Sequence, residues 1–192
     1  MKDIVWDNET SQLRTLDILE DLVQSGFWFS CCPDVINITS ASLSPNILRF
    51  SPIIVKKRVT INAVGINIGT IATGGSAKIA MYTNSIDNKP ENLINTLGVI
   101  DCGISGQSFA TMSDTVIETG LYWIAEINDL TFSAFNLSSA PANHLYSHGA
   151  ATITTTAIVG YSMNLNYTDP LPSTTSSLAT SISSPHVFFR KA

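Results

Sequence analysis

Three histidines, a pair of neighbouring carboxylates and one serine set between glycines are the residues whose types could support chemistry. His144 and His148 stand four apart, a spacing that puts two imidazoles on one helix face as in metal sites. Pro141 and Gly149 oppose a helix there, and no His-Glu-x-x-His motif or third ligand accompanies them, so no metal is expected. Glu126 and Asp129 could share acid and base work on a glycosidic bond, which needs a protonated and an ionised carboxyl flanking the scissile oxygen. Alternation around Glu126 instead makes it the polar member of a strand, with Asp129 in the turn that follows. Gly103-Ile104-Ser105-Gly106 is superficially like a nucleophile elbow. It lacks the Gly-x-Ser-x-Gly spacing and the strand-to-helix setting that make such a serine reactive. A hydrolase needs a nucleophile poised by a base, and His144, His148 and His186 all fall in late polar segments. Gly74-Gly75 is followed by no helix whose N-terminus could hold a phosphate. These residues predict a non-enzymatic chain with no catalytic group, cofactor or metal. Trp6, Tyr146, Tyr161 and Tyr167 could stack on sugar rings, although aromatic residues more often serve cores and interfaces.

The elements that would position these groups are mostly strands. From Phe27 onward apolar residues recur with period two between turn residues, the signature of half-buried sheet. Val64, Ile66 and Ile68 point one way, Thr73-Gly74-Gly75 makes a turn, and Ala77, Ile79 and Met81 alternate with Lys78, Ala80 and Tyr82. Together they predict a hairpin with one face in the core. Asn84 to Pro90 is a polar turn, and Leu97 to Asp101 a short strand. Gly120 to Ile127 is the most apolar strand, with Leu121, Trp123, Ala125 and Ile127 on one face and Tyr122, Ile124 and Glu126 on the other. Two apolar faces suggest a central strand covered by a neighbouring subunit, with Tyr122 and Ile124 as interface residues and Thr131 to Phe135 as the hairpin partner. Residues 171–185 carry nine Ser or Thr and lead into Val187-Phe188-Phe189-Arg190, which predicts an ordered surface loop before a last paired strand. The expected fold is mostly β: a two-sheet antiparallel β-sandwich of jelly-roll type over residues 27–192, preceded by a short helical anchor.

That anchor is residues 10–24, where Leu13, Leu16, Leu19, Leu22 and Val23 recur at helical steps, Thr10 or Ser11 can cap the start and Gly26 can stop the helix. A helix of about 15 residues is marginal alone. Residues 1–26 therefore read as an anchoring or oligomerisation segment. Residues 1–25 also hold six acids against two bases, which accounts for most of the chain's net charge of −5. The nearly neutral remainder has no basic footprint for nucleic acid. Lys56-Lys57-Arg58, its one basic run, reads as a solvated loop or strand end. Charged residues make up only 13% of the chain, against roughly 25% usually, so the surface must rely on Ser, Thr and Asn. Cys31, Cys32 and Cys102 have neither disulfide-framework nor metal spacing and read as small buried side chains. One bridge from Cys31 or Cys32 to Cys102 stays open. No signal peptide and no run long enough for a transmembrane helix are expected, so no membrane insertion.

Val64-Gly65-Ile66-Asn67-Ile68, Lys78-Ile79-Ala80-Met81-Tyr82-Thr83-Asn84, Pro90 and Gly120-Leu121-Tyr122-Trp123-Ile124-Ala125 follow one another in a recognisable order. The order resembles a β-sandwich domain of bacteriophage tail-fibre and minor virion structural proteins. Leu171-Pro172 and Arg190 look like that family's closing loop and terminal arginine, and the resemblance spans about residues 27–192. The chain departs from the pattern at Ala63-Val64, where the family carries a basic residue before the first glycine, and in its short loop after Ile127. The resemblance implies a structural or host-attachment role, commonly as a homotrimer. It implies no catalytic residues. The expected protein is an oligomeric knob, assembled in the host cytoplasm and displayed on the virion surface. It is held to other virion proteins of the capsid or tail by residues 1–26. The alternative is a receptor-binding tip that touches a host glycan with the loops after Asp129, Asn143 and Pro170.

Overall fold

The computed structural model of the chain describes residues 24–30, 38–138, 160–181 and 183–192. Thirteen strands run through them in two antiparallel sheets, and no helix occurs among the described residues. In chain order these are β1 (Trp28–Phe29), β2 (Ile38–Leu43), β3 (Ile47–Val55), β4 (Val59–Ile68), β5 (Ser76–Asn84), β6 (Pro90–Asp101) and β7 (Gly106–Ile117). They continue with β8 (Gly120–Asn128), β9 (Phe132–Ser138), β10 (Gly160–Asn164), β11 (Ala179–Ser181), β12 (Ser183–Pro185) and β13 (Val187–Lys191). One sheet has the order β11-β10-β3-β8-β5-β6. The other runs β1-β13-β4-β9-β12, with β2 added beside β9 and β7 beside β4. The anchor helix expected over residues 10–24, with Leu13, Leu16, Leu19, Leu22 and Val23, lies outside the described residues but for Gln24.

The two sheets share a core to which alternate residues of each contribute. Ile61, Val64, Ile66 and Ile68 of β4 meet Ile53 and Val55 of β3, Ile79 and Met81 of β5, and Ile124 of β8. Ile61 and Val64 lie an odd number of residues apart yet both point inward. The register shift between Ile61 and Ala63 in the β4–β7 pairing explains this, because a bulge inserts one residue and resets the alternation.

The alternation is present where it was expected, but the strands it marks pair differently. β4 and β5 do not form a hairpin, since β5 pairs with β6 and β8 in the opposite sheet. Likewise β9 is not the partner of β8; it pairs with β2, β4 and β12. Residues 69–75 and 129–131 instead step from one sheet to the other, a gap of about 10 Å that a few extended residues can span. A strand facing a shared core shows the same period two in either sheet.

The outer face of the six-stranded sheet is also apolar, and the chain covers it itself. Leu48, Phe50, Ala80, Tyr82, Trp123, Ala125, Ile127 and Tyr161 pack there beneath Leu165, Tyr167, Leu171 and Leu178. Tyr82 Oη donates to the Pro172 carbonyl at 3.0 Å, and Leu93 N and Ser173 O pair at 2.9 Å, which ties the covering segment down. This corrects the expected subunit face. Ile124 is 2% exposed inside the shared core and Tyr122 packs half-buried against it, so the apolarity of both β8 faces is satisfied within one chain.

Candidate functional site

On the outer face of the seven-stranded sheet, strand pairing brings aromatic rings around a glycine. Phe188 of β13 lies opposite Gly65 of β4, and Gly65 lies opposite Phe109 of β7. Having no side chain, Gly65 leaves room above the sheet beside Phe188. From β1, where it pairs with Arg190, Trp28 reaches over that space: a Cβ on Gly65 would stand 3.2 Å from the indole Cη2 and 3.1 Å from Phe109 Cβ. Trp28 and Phe109 meet edge to face with centroids 5.5 Å apart, a favoured geometry. The result is a cleft of about 190 Å³ lined by Trp28, Gly65, Ile66, Asn67, Gln107 and Phe188.

Polar groups stand in this cleft and beside it. Asn67 and Gln107 are a cross-strand pair one row from Gly65 along the β4–β7 ladder, and neither side-chain amide has a hydrogen-bonding partner among the described residues. Outside the lining, the Arg190 guanidinium sits 5.8 Å from the centroids of both Trp28, a lining residue, and Phe109. Its Nε donates to Asn62 Oδ1 at 2.8 Å. Beside Phe188, with centroids 4.3 Å apart, the buried His186 ring is held by Ser30 Oγ 2.6 Å from Nε2, while Nδ1 has no partner among the described residues. Burial pulls that imidazole down to about 4, so it is neutral near pH 7.

A second polar group lies inside the shared core. Arg49 and Glu126 form a buried ion pair at 3.3 Å. The same guanidinium reaches Asn128 Oδ1 and the carbonyls of Ser44 and Ile47, which closes the β2–β3 turn onto β8. Burial pushes Glu126 up to about 7 against the opposing pull of Arg49, and Glu126 Oε1 has no hydrogen-bonding partner among the described residues. A third, hydroxyl-rich groove of about 320 Å³ runs between Ser85, Lys89, Glu91 and residues 174–178.

The residues singled out for chemistry are dispersed by the fold. Glu126 serves the Arg49 cluster, whereas Asp129 Oδ1 accepts the Ser76 amide at 2.7 Å in a surface turn. Ser105 lies in the exposed turn between β6 and β7, with no helix after it. Tyr161 is buried against Trp123 at 5.4 Å, and Tyr167 lies half-buried under Lys78 at 4.3 Å. Cys102 is a free, buried thiol. Lys56-Lys57-Arg58 is the exposed link between β3 and β4. His144, His148, Trp6, Tyr146, Cys31, Cys32 and the loop after Asn143 lie outside the described residues. Trp28, Gly65 and Phe188 in the cleft, with Phe109 and Arg190 against Trp28, were not anticipated as a group. A local signal existed for two of them, since strand alternation in the last segment puts His186, Phe188 and Arg190 on one face and Val187 and Phe189 on the other.

A scan of the sequence against protein-family models gives no match, and a search of the curated proteins gives none.

Proposed function

We propose that this chain is a non-catalytic structural knob of a bacteriophage particle, a jelly-roll sandwich displayed as a homotrimer and anchored to the capsid or tail through residues 1–26. The observation that carries this reading is the strand order. Within the two sheets, β2-β9-β4-β7 and β3-β8-β5-β6 form a pair of four-stranded layers, with β12 added beside β9 and β13 between β1 and β4. Successive strands from β2 to β9 alternate between the layers except at the β5–β6 hairpin, and that alternation supports a double Greek key of the kind found in jelly rolls of viral capsid and lectin domains. The shortage of charge and the resemblance to tail-fibre domains support the same reading. The trimer contact lies outside the inner face of β8, which the core occupies. Deleting residues 1–26 should leave a chain with a native strand signature in circular dichroism that no longer enters particles. Undiminished incorporation of that truncation would refute the anchor.

A host-attachment tip that binds surface glycan is the second reading, and the aromatic cleft on the seven-stranded sheet favours it. The segment after Pro170 lines the hydroxyl-rich groove instead, which has no aromatic wall.

A further inference from the structure

We infer that the Trp28–Gly65 cleft binds a sugar ring that carries a carboxylate, so that an acidic saccharide is the surface ligand. The inference rests on the host-attachment reading and gives it a site and a ligand class. Three features of the cleft and its immediate surroundings select this chemistry, two in the lining and one, Arg190, beside Trp28. The first is shape: Gly65 removes the side chain that would otherwise separate Phe188 from Phe109, and Trp28 overhangs the space. A flat ring with C–H groups on its face fits against an indole wall, since aromatic faces are electron-rich and apolar. The second is the Asn67–Gln107 pair. Each amide offers both donors and an acceptor, the complement of ring hydroxyls, and neither is engaged by another described residue.

The third is charge. Arg190 spends its Nε on a neutral amide, has no carboxylate partner among the described residues, and stands over two aromatic rings. Its remaining guanidinium N–H groups are suited to a planar carboxylate, which accepts two parallel hydrogen bonds. Because His186 is neutral, Arg190 is the cation that sets the preference. A neutral hexose would use the ring wall and the amides alone.

Binding can be read on the full-length chain from tryptophan fluorescence and titration calorimetry, with trigalacturonic acid as the acidic probe, maltotriose as the neutral one and a short oligoglutamate as the acidic non-sugar. Trigalacturonic acid should bind at least about tenfold more tightly than maltotriose, as expected for a charge-assisted bond. Arg190→Gln should erase that preference without changing the melting temperature by more than a few degrees. Gly65→Ala, which fills the floor, and Trp28→Ala should each remove binding of both sugars. Equal affinity for the two sugars, unchanged acidic preference in Arg190→Gln, oligoglutamate binding as tight as the acidic sugar, or no sugar binding at all would overturn the inference. Particle incorporation separates the two ideas: binding by a chain absent from particles sinks only the virion reading, and loss of binding by an incorporated chain sinks only this one.

Discussion

Glu126 and His186 are both buried, 1% and 4% exposed, and burial drives each toward its uncharged form in opposite directions on the pH scale. Glu126 rises from 4.5 to about 7, so between these values the folded chain holds a proton that the unfolded chain releases, and stability falls as pH rises. His186 drops from 6.5 to about 4, so across that window the unfolded chain takes up a proton that the folded chain refuses, and stability falls as pH drops. Each displacement is worth about 3 kcal/mol, and the two slopes overlap with opposite signs. Urea denaturation of the native chain should therefore give a nearly flat free energy between about pH 4.5 and 6.5. Glu126→Gln should expose a curve that rises with pH, and His186→Gln one that falls. Three parallel curves would show that these two groups do not set the profile. Removing the cation instead, as in Arg49→Met, leaves a buried carboxyl without its partner and releases the turn carbonyls of Ser44 and Ile47. That change should cost about 3–5 kcal/mol by the same assay.

At the scale of elements, the six-stranded sheet is buried on both sides only because the segment after β10 folds back over it. Tyr82 fastens this cover through Pro172, and burial pushes its phenol up to about 12, so it remains a donor through the alkaline range. Tyr82→Phe should cost about 1 kcal/mol and speed proteolysis within residues 166–178 before any cut in β3 or β8. Simultaneous cleavage throughout would mean that the cover and the sheet open as one unit. β10 itself depends on Gly160, because a Cβ there would overlap the Phe50 carbonyl oxygen of β3. Gly160→Ala should destabilise by about 1–3 kcal/mol in thermal melts. The sequence exposed these elements unevenly. Val64, Ile66 and Ile68, and the doubly apolar run from Leu121 to Ile127, were legible because burial on one face or two imprints a period. Which sheet each strand joins was not legible, since the steps at residues 69–75 and 129–131 leave that period unchanged. β7 was missed because Gln107, Phe109, Ser113, Asp114 and Thr115 lie along a largely exposed strand whose partner lies on one side only. β6 was read only at its end for the same reason, its Glu91, Asn92, Ile94 and Asn95 being exposed or half-exposed on a sheet edge. The cleft escaped local reading because Trp28, Gly65, Phe109 and Phe188 come from four strands and meet only through pairing.

On the scale of the whole molecule, two sheets share one core, and the aromatic cleft among the described residues lies on a sheet face and not in a loop. Such a face suits repeated weak attachment, because several copies on one particle multiply modest affinities without new contacts. That logic requires more than one copy per assembly. The full-length chain should sediment as a trimer, and a monomer at all accessible concentrations would remove the avidity argument. The most direct measurement is electron cryomicroscopy of intact particles purified from the lysate of the producing host, with the chain followed by mass spectrometry. Two-layered knobs of this fold, in multiples of three at symmetry-related surface positions, are the predicted result. Particles that lack the chain, with all of it recovered in the soluble fraction, would contradict a virion role outright.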